Sequence, residues 1–254
     1  MKIKSKAAAL MCAAAATTPA FAVPLVANTA TPSIIGASQV GESSLQSIAD
    51  ALFSPGAVNV QTGQSSAGLF ASATPSAASF IPTVVAEFTT NASAQSFGIW
   101  FGTDTTNIVS YNLLLGSASA GNAVGLTISG NTLEVFGPSS DCGVKFNCGS
   151  FTNALINPLA FGFFFKPTAN GPTYYSLDQL NTGDRTDRFV GFQNGASTNW
   201  LFAYEGGSDF DYNDMAVKVE SIVAITAVPE PETYALMIAG LGAVGFMARR
   251  RKHA

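Results

Sequence analysis

The apolar positions of this chain follow three different rhythms. Near the start, Leu45, Ile48, Ala49, Leu52 and Phe53 recur within G-E-S-S-L-Q-S-I-A-D-A-L-F-S-P-G. That spacing gathers them on one stripe of a short amphipathic helix, whose apolar face should pack on a sheet. Ser43 followed by Gln46 has the form of a capping box, and Pro55-Gly56 stops the helix. Between residues 58 and 225 the rhythm shortens. Runs rich in Val, Ile, Phe and Tyr alternate with Gly, Asn, Ser and Pro, as strands and turns do. The pattern predicts strands near 82–89, 97–102, 107–115, 124–129, 132–137, 159–166, 188–193, 200–205 and 215–222. Ser129-Gly130-Asn131 reads as a tight hairpin turn. The nearly continuous aromatic run from Phe161 to Phe165 reads as a central strand covered on both faces. Together these predict a mainly β fold, a jelly-roll-like β-sandwich with one short N-terminal helix.

The third rhythm is continuous apolarity at the two ends. Lys2, Lys4 and Lys6 precede an apolar stretch from Ala7 to Ala16, and Ala20-Phe21-Ala22 has the small-x-small form cut by signal peptidase. Residues 1–22 therefore read as a signal peptide cleaved after Ala22. Residues 23–40, rich in Thr, Ala, Pro and Ser, read as a flexible lead-in to a domain at 41–226. The closing segment, 227–254, begins with an acidic, Pro-rich linker. A continuous apolar run follows at 233–248, and then Arg249, Arg250, Arg251 and Lys252. As a helix that run spans about 24 Å, slightly short of a typical hydrocarbon core. The basic cluster holds its end in the cytoplasm and leaves the body outside.

Composition narrows the function classes. The chain is 47% hydrophobic and only 11% charged, so its surface is built from Ser, Thr, Asn, Gln and Gly, as suits a secreted β-rich protein. Between residues 23 and 228 there are 14 acidic residues against 5 basic ones, a net charge of −9. Such a body repels nucleic acid. The single histidine, His253, lies in the basic tail. That excludes Ser-His-Asp and Cys-His nucleophiles and any zinc site that needs imidazole. Cys12 belongs to the leader. Cys142 and Cys148 read as a local disulfide worth about 2 kcal/mol, or else as two buried thiols.

Against this sparse charge, Asp209, Asp211, Asn213 and Asp214 stand within six residues. Asp-x-Asp-x-Asn matches the start of an EF-hand loop, and Glu220 falls at its twelfth position. The sixth position, however, is Asp214 where that loop needs Gly. The residues that follow alternate as a strand and carry Glu220 roughly 20 Å away. An EF-hand is therefore rejected. Two readings remain open. One is a calcium site in a sandwich loop, with Asp209, Asp211 and Asp214 as ligands, Asn213 and loop carbonyls completing the shell, and Glu205 facing them. Asp184 and Asp187, in a second acidic loop, are further candidates. The other is an Asx-rich turn whose side chains bond backbone amides. The carboxylates crowd one turn rather than flank a cleft, so a glycoside hydrolase is a remote reading and no enzyme is expected.

Two resemblances add to this. Val228-Pro229-Glu230-Pro231, the apolar run and Arg249-Arg250-Arg251-Lys252 closely resemble the PEP-CTERM sorting signal of Gram-negative envelope proteins. The resemblance implies recognition by an exosortase, cleavage at or near Pro229-Glu230-Pro231, and transient anchoring in the inner membrane. Delivery to the outer surface or extracellular matrix would follow. Read without it, the same segment is a permanent C-terminal anchor. Ser44-Leu45-Gln46, Tyr174-Tyr175-Ser176, the stretch from Thr182 to Phe189, and W-L-F-A-Y-E-G-G-S-D-F-D-Y-N-D resemble a domain of unknown function from bacterial surface proteins. Glu205, Asp209, Asp211, Asn213 and Asp214 match its acidic box. Gly206 stands where that family has Asp, Tyr204 where it has Phe, and Arg188 where it often has His. The expected role is structural or adhesive. The alternative is a calcium-dependent carbohydrate-binding module, with exopolysaccharide or other surface proteins as partners.

Overall fold

The computed structural model describes residues 24–28, 34–74, 78–80, 83–87, 95–181, 188–225 and 239–241. In chain order its elements are α1 (Leu45–Phe53), β1 (Leu69–Ser72), β2 (Ala78–Phe80), β3 (Thr83–Glu87), β4 (Ser96–Asp104), β5 (Asn107–Leu115), β6 (Gly125–Ser129), β7 (Thr132–Phe136), β8 (Gly149–Thr152), β9 (Gly162–Lys166), β10 (Tyr174–Tyr175), β11 (Phe189–Gln193), β12 (Trp200–Tyr204), β13 (Met215–Val219) and β14 (Ile222–Ile225). They form three four-stranded sheets, ordered β10-β9-β4-β5, β11-β12-β13-β3 and β2-β6-β7-β8, and a two-stranded ribbon β1-β14. The pairings within these sheets are antiparallel. The fold is mainly β, as the alternation predicts.

Alternation along the strands explains how the first two sheets meet. Phe97, Ile99 and Phe101 of β4 and Phe163 and Phe165 of β9 point inward. They meet Trp200, Phe202 and Tyr204 of β12 in one core that also takes Leu126, Ile128, Leu133 and Val135 from the third sheet. Rings from the two sheets touch: Phe163 lies 5.0 Å from Phe202, and Phe165 lies 5.3 Å from Tyr204. Such tilted aromatic contacts add to the hydrophobic gain of burial. The residues between point the other way. Trp100 and Phe164 form a second cluster with Leu177, Leu69 and Ala27. The Phe161–Phe165 run is thus covered on both faces. Glycine makes the outer face possible: Trp100 pairs with Gly162 and Gly98 with Phe164 across the β4–β9 ladder. A Cβ on Gly162 would come within 2.4 Å of the Trp100 indole, and one on Gly98 within 2.2 Å of the Phe164 ring.

Helix α1 covers the outer face of the second sheet. Leu45, Ile48, Ala49 and Phe53 pack on Val190, Phe192, Leu201, Ala203 and Ala216. Ser44 caps it, accepting from the Ser47 amide, so the cap falls one residue later than the Ser43–Gln46 box. Gln46 is drawn instead to the next segment. Its amide donates to the Val58 carbonyl and its oxygen accepts from the Val60 amide. Residues 24–28, expected to be a flexible lead-in, also pack: Leu25 and Ala27 join the Trp100 cluster. The strand expected at 215–222 divides at Ser221, where φ is +66°, into β13 and β14. The disulfide forms between Cys142 and Cys148. Its loop buries Phe146 and bonds the end of β5, through the Leu115 amide to the Lys145 carbonyl and the Asn147 amide to the Leu113 carbonyl.

Candidate functional site

The loop from Glu205 to Asp214 joins β12 to β13, whose last register pair is Tyr204 with Met215. Its backbone is unusual at two places. Phe210 and Tyr212 have φ of +57° and +55°, in the left-handed region that costs a non-glycine residue of order 1 kcal/mol. What holds them there is side-chain packing. Tyr212 is buried in the cluster under α1, and Phe210 lies beneath the Arg188 guanidinium, 4.6 Å from its ring centroid. This alternation turns Asp211, between them, into the protein, where it is 2% exposed.

The carboxylates divide between the two ends of the loop. At the first end, Glu205 is fully buried. Its Oε1 accepts from the Gly207 amide at 2.6 Å, and its Oε2 from the Tyr212 amide at 3.3 Å. Asp214 Oδ2 accepts from the Gly206 and Gly207 amides at 2.6 and 3.0 Å. Arg188 stands over this end. One of its guanidinium nitrogens donates to the Gly207 carbonyl and lies 3.9 Å from Glu205. Burial, reinforced by the neighbouring Asp214 charge, still pushes the Glu205 carboxyl up to about 7. Chemically this end is an Asx-type turn closed by backbone donors and one cation.

The second end faces the segment before α1. Asp209 Oδ2 accepts from the Gln39 side-chain amide at 2.6 Å. The Asn213 side-chain amide donates to the Ser43 carbonyl at 3.2 Å and to Glu42 Oε2 at 3.4 Å. The Gly36 amide donates to the Phe210 carbonyl at 2.6 Å. A Cβ on Gly36 would lie 2.2 Å from the Asp209 carbonyl oxygen, so the chains can approach this closely only at glycine. Here Glu42, Asp209 and Asp211 each bring a carboxylate oxygen within 4.8 Å of the others. Asp211 accepts from the Asn213 amide through Oδ1 alone. Its Oδ2 is buried with no hydrogen-bond donor. Burial, with Asp209, Glu42 and Asp214 close by, pushes this carboxyl up to about 6.

Of the residues predicted from sequence, the structure therefore groups Asp209 and Asp211, with Asn213 as their neighbour. It sets Glu205 and Asp214 on the backbone amides. Glu42 completes the group and is invisible to a local motif, standing 171 residues from Asn213. Glu220 is ion-paired with Lys218 on the far side of β13, in keeping with the rejection of an EF-hand. Asp184 and Asp187 lie outside the described residues. All three members of the second group offer oxygen only, the donor set of a hard divalent cation.

Residues 227–252 match the family model of the PEP-CTERM protein-sorting motif. The chain carries a PEP-CTERM sorting tail. That tail marks an exported, surface-directed protein processed by exosortase, and it holds Pro229, Glu230, Pro231, Arg249, Arg250 and Arg251. These residues, and the expected signal-cleavage residues Ala20 and Ala22, lie outside the described residues. So does the expected membrane helix at 233–248, apart from residues 239–241. Among the described residues, no helix is long and apolar enough to cross a membrane. No curated protein and no solved structure matches the chain.

Proposed function

We propose that this PEP-CTERM protein is a structural or adhesive component of the cell surface or extracellular matrix. In this reading its β-sandwich binds calcium through Glu42, Asp209 and Asp211. The observation that carries the metal reading is Asp211: a carboxylate 2% exposed, with an oxygen lacking any donor, beside two further carboxylates. An uncompensated charge in that position is costly, and a bound cation removes the cost. Hard oxygen ligands on a loop favour calcium over softer metals, and Asn213 and loop carbonyls supply further oxygens. Glu205 and Asp214, among the ligands expected from sequence, serve in this reading to hold the loop in shape. Exopolysaccharide or neighbouring surface proteins are the proposed partners, and the role is non-enzymatic.

Isothermal titration of the full-length chain in detergent, after chelation, tests the metal reading. A saturable calcium heat is expected, with a Kd of order 0.1–1 mM as in extracellular calcium modules. Asp209→Asn/Asp211→Asn abolishes it. Absence of calcium-dependent heat in the wild type overturns the reading.

A further inference from the structure

Helix α1 and the segment before it form a cover over an apolar sheet face. Ile35 and Gln46 bond it to the segment that follows the helix, at Gln61, Val58 and Val60, and a separate set of bonds ties it to the β12–β13 loop. Along residues 34–44, the bonds to the β12–β13 loop are those of the Gly36 amide, the Gln39 side chain, and Asn213 to Ser43 and Glu42. The three carboxylates of the candidate site straddle this same seam. Glu42 belongs to the cover, two residues before the helix cap, whereas Asp209 and Asp211 belong to the loop. With no cation, three like charges within 4.8 Å oppose closure. With a divalent cation, those charges hold the two sides together.

We infer that the site is a calcium-operated clasp, fastening the N-terminal cover of residues 34–53 to the β12–β13 loop. The inference rests on the calcium reading above. Opening separates Glu42 from Asp209 and Asp211 and uncovers Val190, Phe192, Leu201, Ala203 and Ala216 on the outer sheet face. A cation bound only by the closed form disfavours opening by the factor 1 + [Ca]/Kd. An affinity in the range of extracellular modules closes the clasp where calcium is abundant, outside the cell.

Hydrogen exchange on the full-length chain in detergent tests the clasp, with calorimetry on the same samples. In chelator, the amides of α1 are expected to exchange ahead of those of β12. At calcium ten times above the Kd, they slow about tenfold. Glu42→Gln removes both the repulsion and the ligand, so its α1 exchange does not respond to calcium. Glu42→Lys places a tethered ammonium beside Asp209 and Asp211, and α1 is then protected without calcium. The β12 amides report that each variant is folded. If calcium binds while α1 exchange is unchanged, or if α1 already exchanges together with β12 in chelator, the clasp is overturned and the calcium reading stands. If calcium does not bind, both fall.

Discussion

The two ends of the Glu205–Asp214 loop contain similar residues and meet opposite conditions. Glu205 and Asp214 accept from the amides of Gly206, Gly207 and Tyr212, with Arg188 overhead. Among the described residues, Asp209, Asp211 and Glu42 have few donors and no ion-pair partner, and one buried oxygen has no donor. Carboxylate density alone does not make a metal site. What matters is how many of the oxygens the fold has already satisfied. The first end spends its carboxylates on shaping the loop, and the second leaves them available.

The largest expected effect comes from breaking the satisfied end. Glu205→Ala removes the side-chain acceptor of the Tyr212 amide, one of the two acceptors of the Gly207 amide, and the counter-charge of Arg188. It should cost about 3 kcal/mol or more in a denaturant melt, with or without calcium. A calcium-rescued loss would show that the two ends are not separate. Next is pH. In chelator, Glu205 is raised from 4.5 to about 7 and Asp211 from 3.8 to about 6, so the folded chain holds more protons than the unfolded chain. The stability these two groups contribute is therefore fully present below about pH 4, is lost as pH rises toward 7, and changes no further above that. The Glu205 share of that loss is about 3 kcal/mol. Melting temperatures taken across this range, with and without calcium, check it. Calcium should flatten the Asp211 share and leave the Glu205 share. The smallest effect has the most telling sign. In chelator at pH 8, Asp211→Asn should stabilise the chain by about 1 kcal/mol, because it removes a buried charge that lacks a donor. A destabilisation of that size would mean that the wild-type carboxylate is already satisfied.

Much of the fold was legible because it is written locally. β5 occupies the span predicted by alternation, 107–115, and the Phe161–Phe165 run packs on both faces. Other strands are defined by their partners rather than by their own pattern. β8 is exposed and polar, β10 has two residues, and β1 exists through pairing with β14, far along the chain. The division of β13 from β14 has a local mark that the expected strand passed over: the alternation of Met215, Val217 and Val219 breaks at the polar pair Glu220-Ser221, and Ile222 resumes it out of phase. The candidate site was half legible. The crowding of Asp209, Asp211, Asn213 and Asp214 is plain in the sequence. Their separation into two ends depends on backbone amides and on left-handed φ at Phe210 and Tyr212, which no spacing rule encodes. Glu42 was missed because it reaches the loop only through the packing of α1 on the second sheet.

The most direct test is the calcium-induced shift in melting temperature of Glu42→Gln beside Asp214→Asn, each measured on the full-length chain in detergent. For the wild type, 10 mM calcium and a Kd of 0.1–1 mM correspond to about 1–3 kcal/mol of added stability. The division of the loop predicts that Glu42→Gln loses this shift and that Asp214→Asn, though less stable, retains it. A shift that survives Glu42→Gln and disappears in Asp214→Asn would place the ion at the wrong end of the loop and contradict the account.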